Sequence, residues 1–350
     1  MGLLPARVET RSVIRYTPPT RPFARGTTMK RRDFLGSAAS VVALTAFAGV
    51  ARAVAAAKSA GPAAGGWFAQ NNLPIGIQLY TLGDELDKDF EGVLGTLGKI
   101  GYKRVELAGF YNRTGEQLRK LLDAAGLECR SAHVPAVANG PGHSLSGDLS
   151  PLLRDAERIG LTDIVLPMFQ LPGSGGPPKD RDDFVARIKL LGVDDYMRTA
   201  DLLNDKAVRL KAHGLHLSYH NHNPEFAPLP GGKTGLQLLL EHTDPALVTF
   251  ELDVGWVGAA GVDPAAFLQA HHGRFRLMHV KDIKAGSKPN FELTMDPSNV
   301  GAGSTDWKAV LPAGLAAGAN QFFVEQEAPF PGTRMDAARA AVAFLSAFNT

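Results

Sequence analysis

A (β/α)8 TIM barrel, a single α/β domain over residues 66–350, is the fold the sequence predicts, and three observations predict it. From Trp67 onward, short apolar runs alternate with amphipathic stretches, giving eight βα units in about 280 residues, the size and rhythm of this barrel. A doubly wound open sheet would alternate in the same way, but no Gly-x-Gly-x-x-Gly turn follows the first apolar run. The deciding feature is where polar residues fall. Gln78, Glu106, His133, His220, Asp253, His279 and Glu325 each end a strand-like run. Polar ends of many strands converge in a closed barrel, whereas an open sheet spreads them along an edge.

The elements follow in order. Ile75–Tyr80 is the first strand run, and Phe90–Ile100 carries Phe90, Val93, Leu94, Leu97 and Ile100 at helical spacing before a Gly101 stop. Arg104–Leu107 is strand two; Thr114 caps the helix Gly115–Ala125, which Gly126 closes. Cys129–His133, the helix Leu149–Ile159 and strand Asp163–Met168 come next. Asp194–His213 reads as a long helix, Leu215–His220 as strand five, Thr234–His242 as a helix and Val248–Asp253 as strand six. The helix Pro264–His271, strand Phe275–Val280, helix Trp307–Ala317, strand Gln321–Glu325 and helix Arg334–Phe348 complete the alternation. Two long segments follow strands and so belong to the barrel mouth: Pro167–Lys179 and the polar, unstructured Lys284–Ser304. Loops of that length in a compact domain serve as lids or binding loops.

Composition bounds the function. The formal net charge is +2, with several basic residues in the N-terminal segment, so the remainder is near neutral and offers no footprint for nucleic acid. The single cysteine, Cys129, excludes an intramolecular disulfide and reads as a buried structural thiol. Residues 1–65 are expected to be a disordered extension and signal outside the fold. Met29-Lys30-Arg31-Arg32-Asp33-Phe34-Leu35-Gly36 precedes a small-residue apolar run, Ser37 to Ala51, and Ala51-Arg52-Ala53 has the spacing of a signal-peptidase site. This resembles a twin-arginine signal; the run is too Ala/Gly-rich and short to serve well as a membrane anchor. Met29 is the expected initiator. Export by the twin-arginine machinery implies a periplasmic or secreted protein, folded before it leaves the cytoplasm.

Strands five to eight carry the chemistry. They supply Tyr219-His220-Asn221-His222-Asn223-Pro224-Glu225-Phe226, Glu251-Leu252-Asp253-Val254-Gly255-Trp256, His279-Val280-Lys281-Asp282 and Val324-Glu325-Gln326-Glu327. A His, an Asp, a His and a Glu at four successive strand ends form a mixed nitrogen–oxygen set suited to one divalent ion: Mn²⁺, Zn²⁺, Co²⁺, Fe²⁺ or Mg²⁺.

With Ile75-Gly76-Ile77-Gln78-Leu79-Tyr80, Val105-Glu106-Leu107 and His133, these runs make residues 73–350 resemble the sugar phosphate isomerase/epimerase family of xylose isomerase-like barrels. The resemblance implies a metal held by a Glu after strand five, an Asp after strand six, a His after strand seven and a Glu after strand eight. Asp253, His279 and Glu325 match the last three. Strand five departs: where many members read Glu-Asn-His, this chain reads His220-Asn221-His222. Either Glu225 or His220 is then the fourth ligand.

The reaction expected is removal of a proton from carbon beside a carbonyl, with the metal stabilising the enediolate. Glu325 is the candidate base, and His220, His222 and Glu225 are candidates for the opposing role. Lys281 points to the same side as His279 and is placed to neutralise enolate charge. Glu106, His133 and Gln78 are candidate substrate contacts and Trp256 a candidate stacking surface. Glu251 sits one layer below Asp253 as a partner to a ligand, and Glu327 lies at the rim. Isomerisation or epimerisation of an unphosphorylated sugar or keto-sugar is the first expectation. A lyase, dehydratase or hydratase acting on a keto-sugar or keto-glycoside is the alternative, since elimination suits a histidine-rich strand five. Cleavage of apurinic DNA is opposed by charge and export; a sugar-binding barrel without catalysis would need no metal. The expected partners are a small carbohydrate and the export machinery, with a homo-oligomer left open.

Overall fold

The computed structural model describes residues 65–350 apart from 139, 141 and 174–177. The twin-arginine run lies outside the described residues. Eight parallel strands close into a barrel: β1 Ile75–Gln78, β2 Arg104–Leu107, β3 Glu128–His133, β4 Asp163–Leu166, β5 His216–His220, β6 Val248–Asp253, β7 Phe275–Val280 and β8 Gln321–Val324. Each strand pairs with its neighbour in sequence, and β8 pairs with β1. Among the described residues no helix is long and apolar enough to cross a membrane.

Strand alternation builds the interior in tiers. At the base, Asp163 is fully buried and accepts hydrogen bonds from Arg276 Nε, from Gln321 Nε2 at 2.7 Å and from Thr162 Oγ1 at 2.7 Å. Next along the same strands, Val165, Leu277 and Phe323 form a small apolar plug separate from the outer core. Gly76 makes room for it, because a Cβ there would lie 2.5 Å from Phe323 Cδ1. The next tier up is charged and forms the candidate site. Outside the barrel, helices bury their apolar stripes on the sheet. The Thr114 side chain accepts from Gln117 N at 3.3 Å, and Gly126 ends that helix in the left-handed region.

Five elements escape the sequence pattern. The short helices Trp67–Gln70, Asp84–Lys88, Arg181–Ile188 and Val254–Ala259 span too few turns for a helical period to show. The last begins on Asp253, whose Oδ1 accepts from Trp256 N at 2.8 Å. The fifth is a two-residue antiparallel ladder, Asp282–Ile283 with Pro297–Ser298, inside the segment read as unstructured. Asp282 organises that segment. Its buried carboxylate accepts from the backbone N–H of Gly301, Gly303 and Thr305 and from Trp307 Nε1, all between 3.0 and 3.2 Å. Asn223 Nδ2 holds the other part of the loop, donating to Asn290 O at 2.9 Å and Thr294 O at 3.2 Å. This mouth segment is a fixed wall.

Two outcomes follow. Asp163→Ala strands Arg276 and Gln321 and is expected to cost about 3 kcal/mol, read as a lower urea midpoint at unchanged slope. Burial pushes the Cys129 thiol up to about 12, so a thiol reagent at neutral pH is expected to label it only after unfolding.

Candidate active site and metal centre

The polar strand ends meet as two stacked tiers. Pairing of β5 with β6 sets His220 opposite Glu251, and pairing of β6 with β7 sets Asp253 opposite His279. In the upper tier His220, Asp253, His279 and Glu325 are all buried, with one ligand atom from each lying within 4.8 Å of the others. His279 Nδ1 stands 2.7 Å from Glu325 Oε2 and 3.5 Å from Asp253 Oδ2, and His220 Nε2 stands 4.0 Å from that same Oδ2.

The lower tier orients those histidines. His279 Nε2 lies 2.7 Å from Glu106 Oε2, and His220 Nδ1 lies 3.0 Å from Glu251 Oε2. Each ring therefore turns one nitrogen up to the cluster and the other down to a carboxylate, which fixes ring plane and tautomer. Gln78 Nε2 donates to Glu106 Oε2 at 2.8 Å, and Ser131 Oγ donates to its other oxygen. His133 Nε2 lies 2.9 Å from Glu251 Oε2, with its ring stacked on His279 at 5.5 Å. Both buttressing glutamates sit at register shifts, Val105/Glu106 between β2 and β3 and Phe250/Glu251 between β6 and β7. Such irregularities re-aim side chains beside active sites.

His133, His220, Glu251 and His279 form a second grouping with ligand spacing. The upper set fits a divalent cation better. Three imidazole nitrogens already stand within 3.2 Å of Glu251 Oε2, whereas Asp253 Oδ2 has one close cation, Lys281 Nζ at 2.9 Å, with the nearest imidazole nitrogens at 3.5 and 4.0 Å. Glu325 and His220 also line the mouth cavity, so an ion among them would keep a face open to substrate.

Charge points the same way. Glu106, Glu251, Asp253 and Glu325 are buried against a single buried ammonium, Lys281. Burial opposes charging His279 and would raise Glu325. Glu251 and Glu325 nevertheless hold the imidazole well above its ordinary pKa, and Lys281 and His279 hold the Glu325 carboxyl well below its own. Burial, Glu106 and Glu251 together leave His133 raised to about 9. His279, His133 and Lys281 carry the positive charge, while burial and the neighbouring His279 hold His220 well below the ordinary imidazole pKa.

The sequence candidates fall into separate places. Lys281 is fully buried, 2.9 Å from Asp253 Oδ2 and 2.8 Å from Glu325 Oε2; it neutralises these carboxylates and exposes no surface to a substrate. Gly255 permits this, since a Cβ there would meet Lys281 Cγ at 2.6 Å. Glu225 stands outside the upper cluster. Its Oε1 accepts from Tyr219 Oη at 2.8 Å and from His222 N at 2.9 Å, so its short turn holds it beside strand five and His220 takes the fourth position. Gln78 and Glu106, expected to touch substrate, are fully buried in the lower tier and hold His279 instead. His133, His222, Trp256 and Glu325 do line the cavity. Trp256 packs 5.3 Å from His222 and lies 5.1 Å from Lys281 Nζ. Tyr80, Met168, Phe184, Leu293, Met295 and Arg334 also line it and were missed. Tyr80 and Met168 carried a signal, as the last residues of the first and fourth strand runs.

Three measurements test this geometry. Adding Zn²⁺ or Mn²⁺ to chelator-treated protein is expected to raise the melting temperature, by about 2.7 kcal/mol of stabilisation at a hundredfold excess over Kd. Glu251→Gln is expected to weaken metal affinity about 10- to 100-fold in a competition titration. Burial pushes Glu225 up to about 7 from an ordinary 4.5. The folded protein then binds the extra proton between those values, so this contribution is present below pH 4.5 and is lost as pH rises through 7. Glu225→Gln is expected to flatten that part of the stability–pH curve.

Comparison with known proteins agrees with the architecture. The family described as xylose isomerase-like TIM barrel matches residues 90–348. Inosose dehydratase of Bacillus anthracis is 23% identical over 239 residues, covering 62% of this chain and 73% of that protein. Inosose dehydratase of Geobacillus thermodenitrificans is 26% identical over 236 residues with the same coverage. Among solved structures, a sugar phosphate isomerase/epimerase from Parabacteroides distasonis superposes with TM-score 0.59 at 24% identity, covering 79% of this chain and 94% of that one. The IolI protein, solved with a bound zinc atom, superposes with TM-score 0.52 at 15% identity, covering 79% of this chain and all of the other. The structural likenesses are of fold. This chain is an enzyme that belongs to the xylose isomerase-like TIM barrel family.

Proposed function

We propose that this enzyme is a divalent-metal-dependent lyase of the dehydratase or hydratase type, acting on an unphosphorylated keto-sugar, keto-glycoside or cyclic polyhydroxy ketone. One observation carries the reading: a carboxylate held ionised, Glu325, faces the cavity with imidazoles around it and no second glutamate in the upper cluster. The strand-five member of a two-glutamate exchange is missing, because that strand presents His220. The curated relatives named inosose dehydratase support elimination over isomerisation.

His220, Asp253, His279 and Glu325 would hold the cation. When bound, it supplies Lewis-acid stabilisation of the charge developing on the carbonyl oxygen. Glu325 takes the proton from the carbon beside the carbonyl; Lys281 keeps Glu325 ionised for that task. The C–O bond at the next carbon then breaks, and the proton that Glu325 took passes to the departing oxygen, which leaves as water and restores the carboxylate. Burial and Lys281 push His222 down to about 3, so its imidazole is neutral and turns an N–H toward the departing oxygen. His133 hydrogen-bonds a hydroxyl and Trp256 covers the ring face. Glu106 and Glu251 do no chemistry on substrate and keep the ligating rings in place.

Isomerisation or epimerisation stands second, supported by the fold shared with the Parabacteroides protein. We also propose export through the twin-arginine pathway, on the strength of Arg31-Arg32-Asp33-Phe34-Leu35. An exported enzyme meets few sugar phosphates, which agrees with an unphosphorylated substrate.

The test is incubation of metal-loaded protein with keto-sugars, keto-glycosides and inososes in D₂O. Deuterium entering beside the carbonyl together with loss of water is the expected result. His222→Phe, which removes that N–H, is expected to keep exchange but slow elimination by about 10²- to 10³-fold, and Glu325→Gln to lose both. Clean conversion to an isomer without water loss would transfer the assignment to the second reading. No exchange across the panel with metal bound would sink both.

A further inference from the structure

The mouth cavity is larger and less polar above the strand ends than a bare sugar requires. It has a volume of about 870 Å³, near the upper end of pockets that hold drug-sized ligands. Its floor is polar, made of His133, His220, His222 and Glu325 at the strand ends. Its wall comes from the segments after the strands: Met168, Phe184, Leu293 and Met295 supply an apolar part, and Arg334 and Glu327 a charged part. A second cavity of about 430 Å³ adjoins it, with Arg181, Phe184, Leu293 and Thr294 lining both. That extension runs between the helix Arg181–Ile188, the segment after strand five and the loop held by Asp282. Val185, Ile188, Leu191, Leu229 and Phe291 line it. Phe291 is 37% exposed. An apolar groove that opens from a polar catalytic floor marks a ligand subsite.

We propose that the substrate is a glycoside carrying an apolar substituent. Its sugar lies over the strand ends, and its aglycone runs along Phe184 and Leu293 into the second cavity. A free monosaccharide presents hydroxyls around its ring and would leave this wall wet. An alkyl or aryl aglycone buries it, at about 25 cal/mol for each Å² removed from water. Arg181 and Thr294 stand where the two cavities join, so the passage between sugar and aglycone is polar. The inference rests on reading the floor as the site of keto-sugar chemistry, and it names the substrate class of that site.

The experiment measures binding alone, so it is separate from turnover. Methyl, butyl and hexyl β-D-glucopyranosides, unreactive probes of graded apolar length, are titrated calorimetrically into metal-loaded full-length protein, with 1-hexanol as control. Kd is expected to fall about two- to fourfold for each added CH₂, and 1-hexanol to bind at least tenfold more weakly than hexyl glucoside. Phe184→Ser, its fold checked by circular dichroism, is expected to reduce the dependence on chain length. Leu229→Ser, on the far wall, should do the same if the first substitution unfolds the chain. Affinity independent of alkyl length, no saturable binding of hexyl glucoside, or hexanol binding as tightly as the glucoside would overturn the aglycone subsite. A flat series would leave the groove to a protein surface. Deuterium exchange decides the enolate reading independently.

Discussion

Four carboxylates buried around one ammonium set the terms for the upper half of this barrel. Glu106, Glu251, Asp253 and Glu325 would repel each other strongly at low dielectric, and Lys281 answers only part of that charge. Three imidazoles interleave with them, and each touches at least one carboxylate. Such an arrangement is stable when further positive charge enters it, as protons on histidine or as a divalent ion. The apolar plug and the Asp163 network lie beneath it and tie β7 and β8, which carry His279, Lys281 and Glu325, to β4.

The same constraint explains strand five. Where the family resemblance predicts a glutamate, the chain has His220, and the carboxylate beside it comes from Glu251, its direct register partner on β6. The negative charge stays in the neighbourhood but moves down a tier, behind the histidine. An imidazole with a buttress stands at that position. One carboxylate of the upper cluster is left opposite imidazoles, the asymmetry on which the proposed elimination rests.

Much of this was legible in the sequence because it follows from period and position. The alternation from Trp67 onward and the polar residue at each strand end needed no tertiary knowledge, and Asp253, His279 and Glu325 come together as their strand positions require. Depth was not legible. Gln78, Glu106 and Glu325 all end strand runs, yet the first two are sealed below the cavity and the third lines it. Strand stagger and the two register shifts decide that, and neither leaves a mark in residue type. Glu225 shows the same limit: three residues after His222, a short turn anchored by Tyr219 carries it away from the cluster. Loop residues such as Phe184 and Met295 were illegible for another reason, because no periodicity governs a mouth wall.

The nest around Asp282 has a meaning beyond local order. It ties both ends of the Lys284–Ser304 loop to the residue directly following the Lys281 that serves the cluster, while Asn223 pins its middle. Floor and wall are thereby made separately adjustable. Residues between the anchors can drift in size and polarity during evolution without disturbing the charged floor, since the backbone that presents them is held from beneath. A lineage with this scaffold can reshape the wall while keeping the floor, and divergence among its members should concentrate between those anchors.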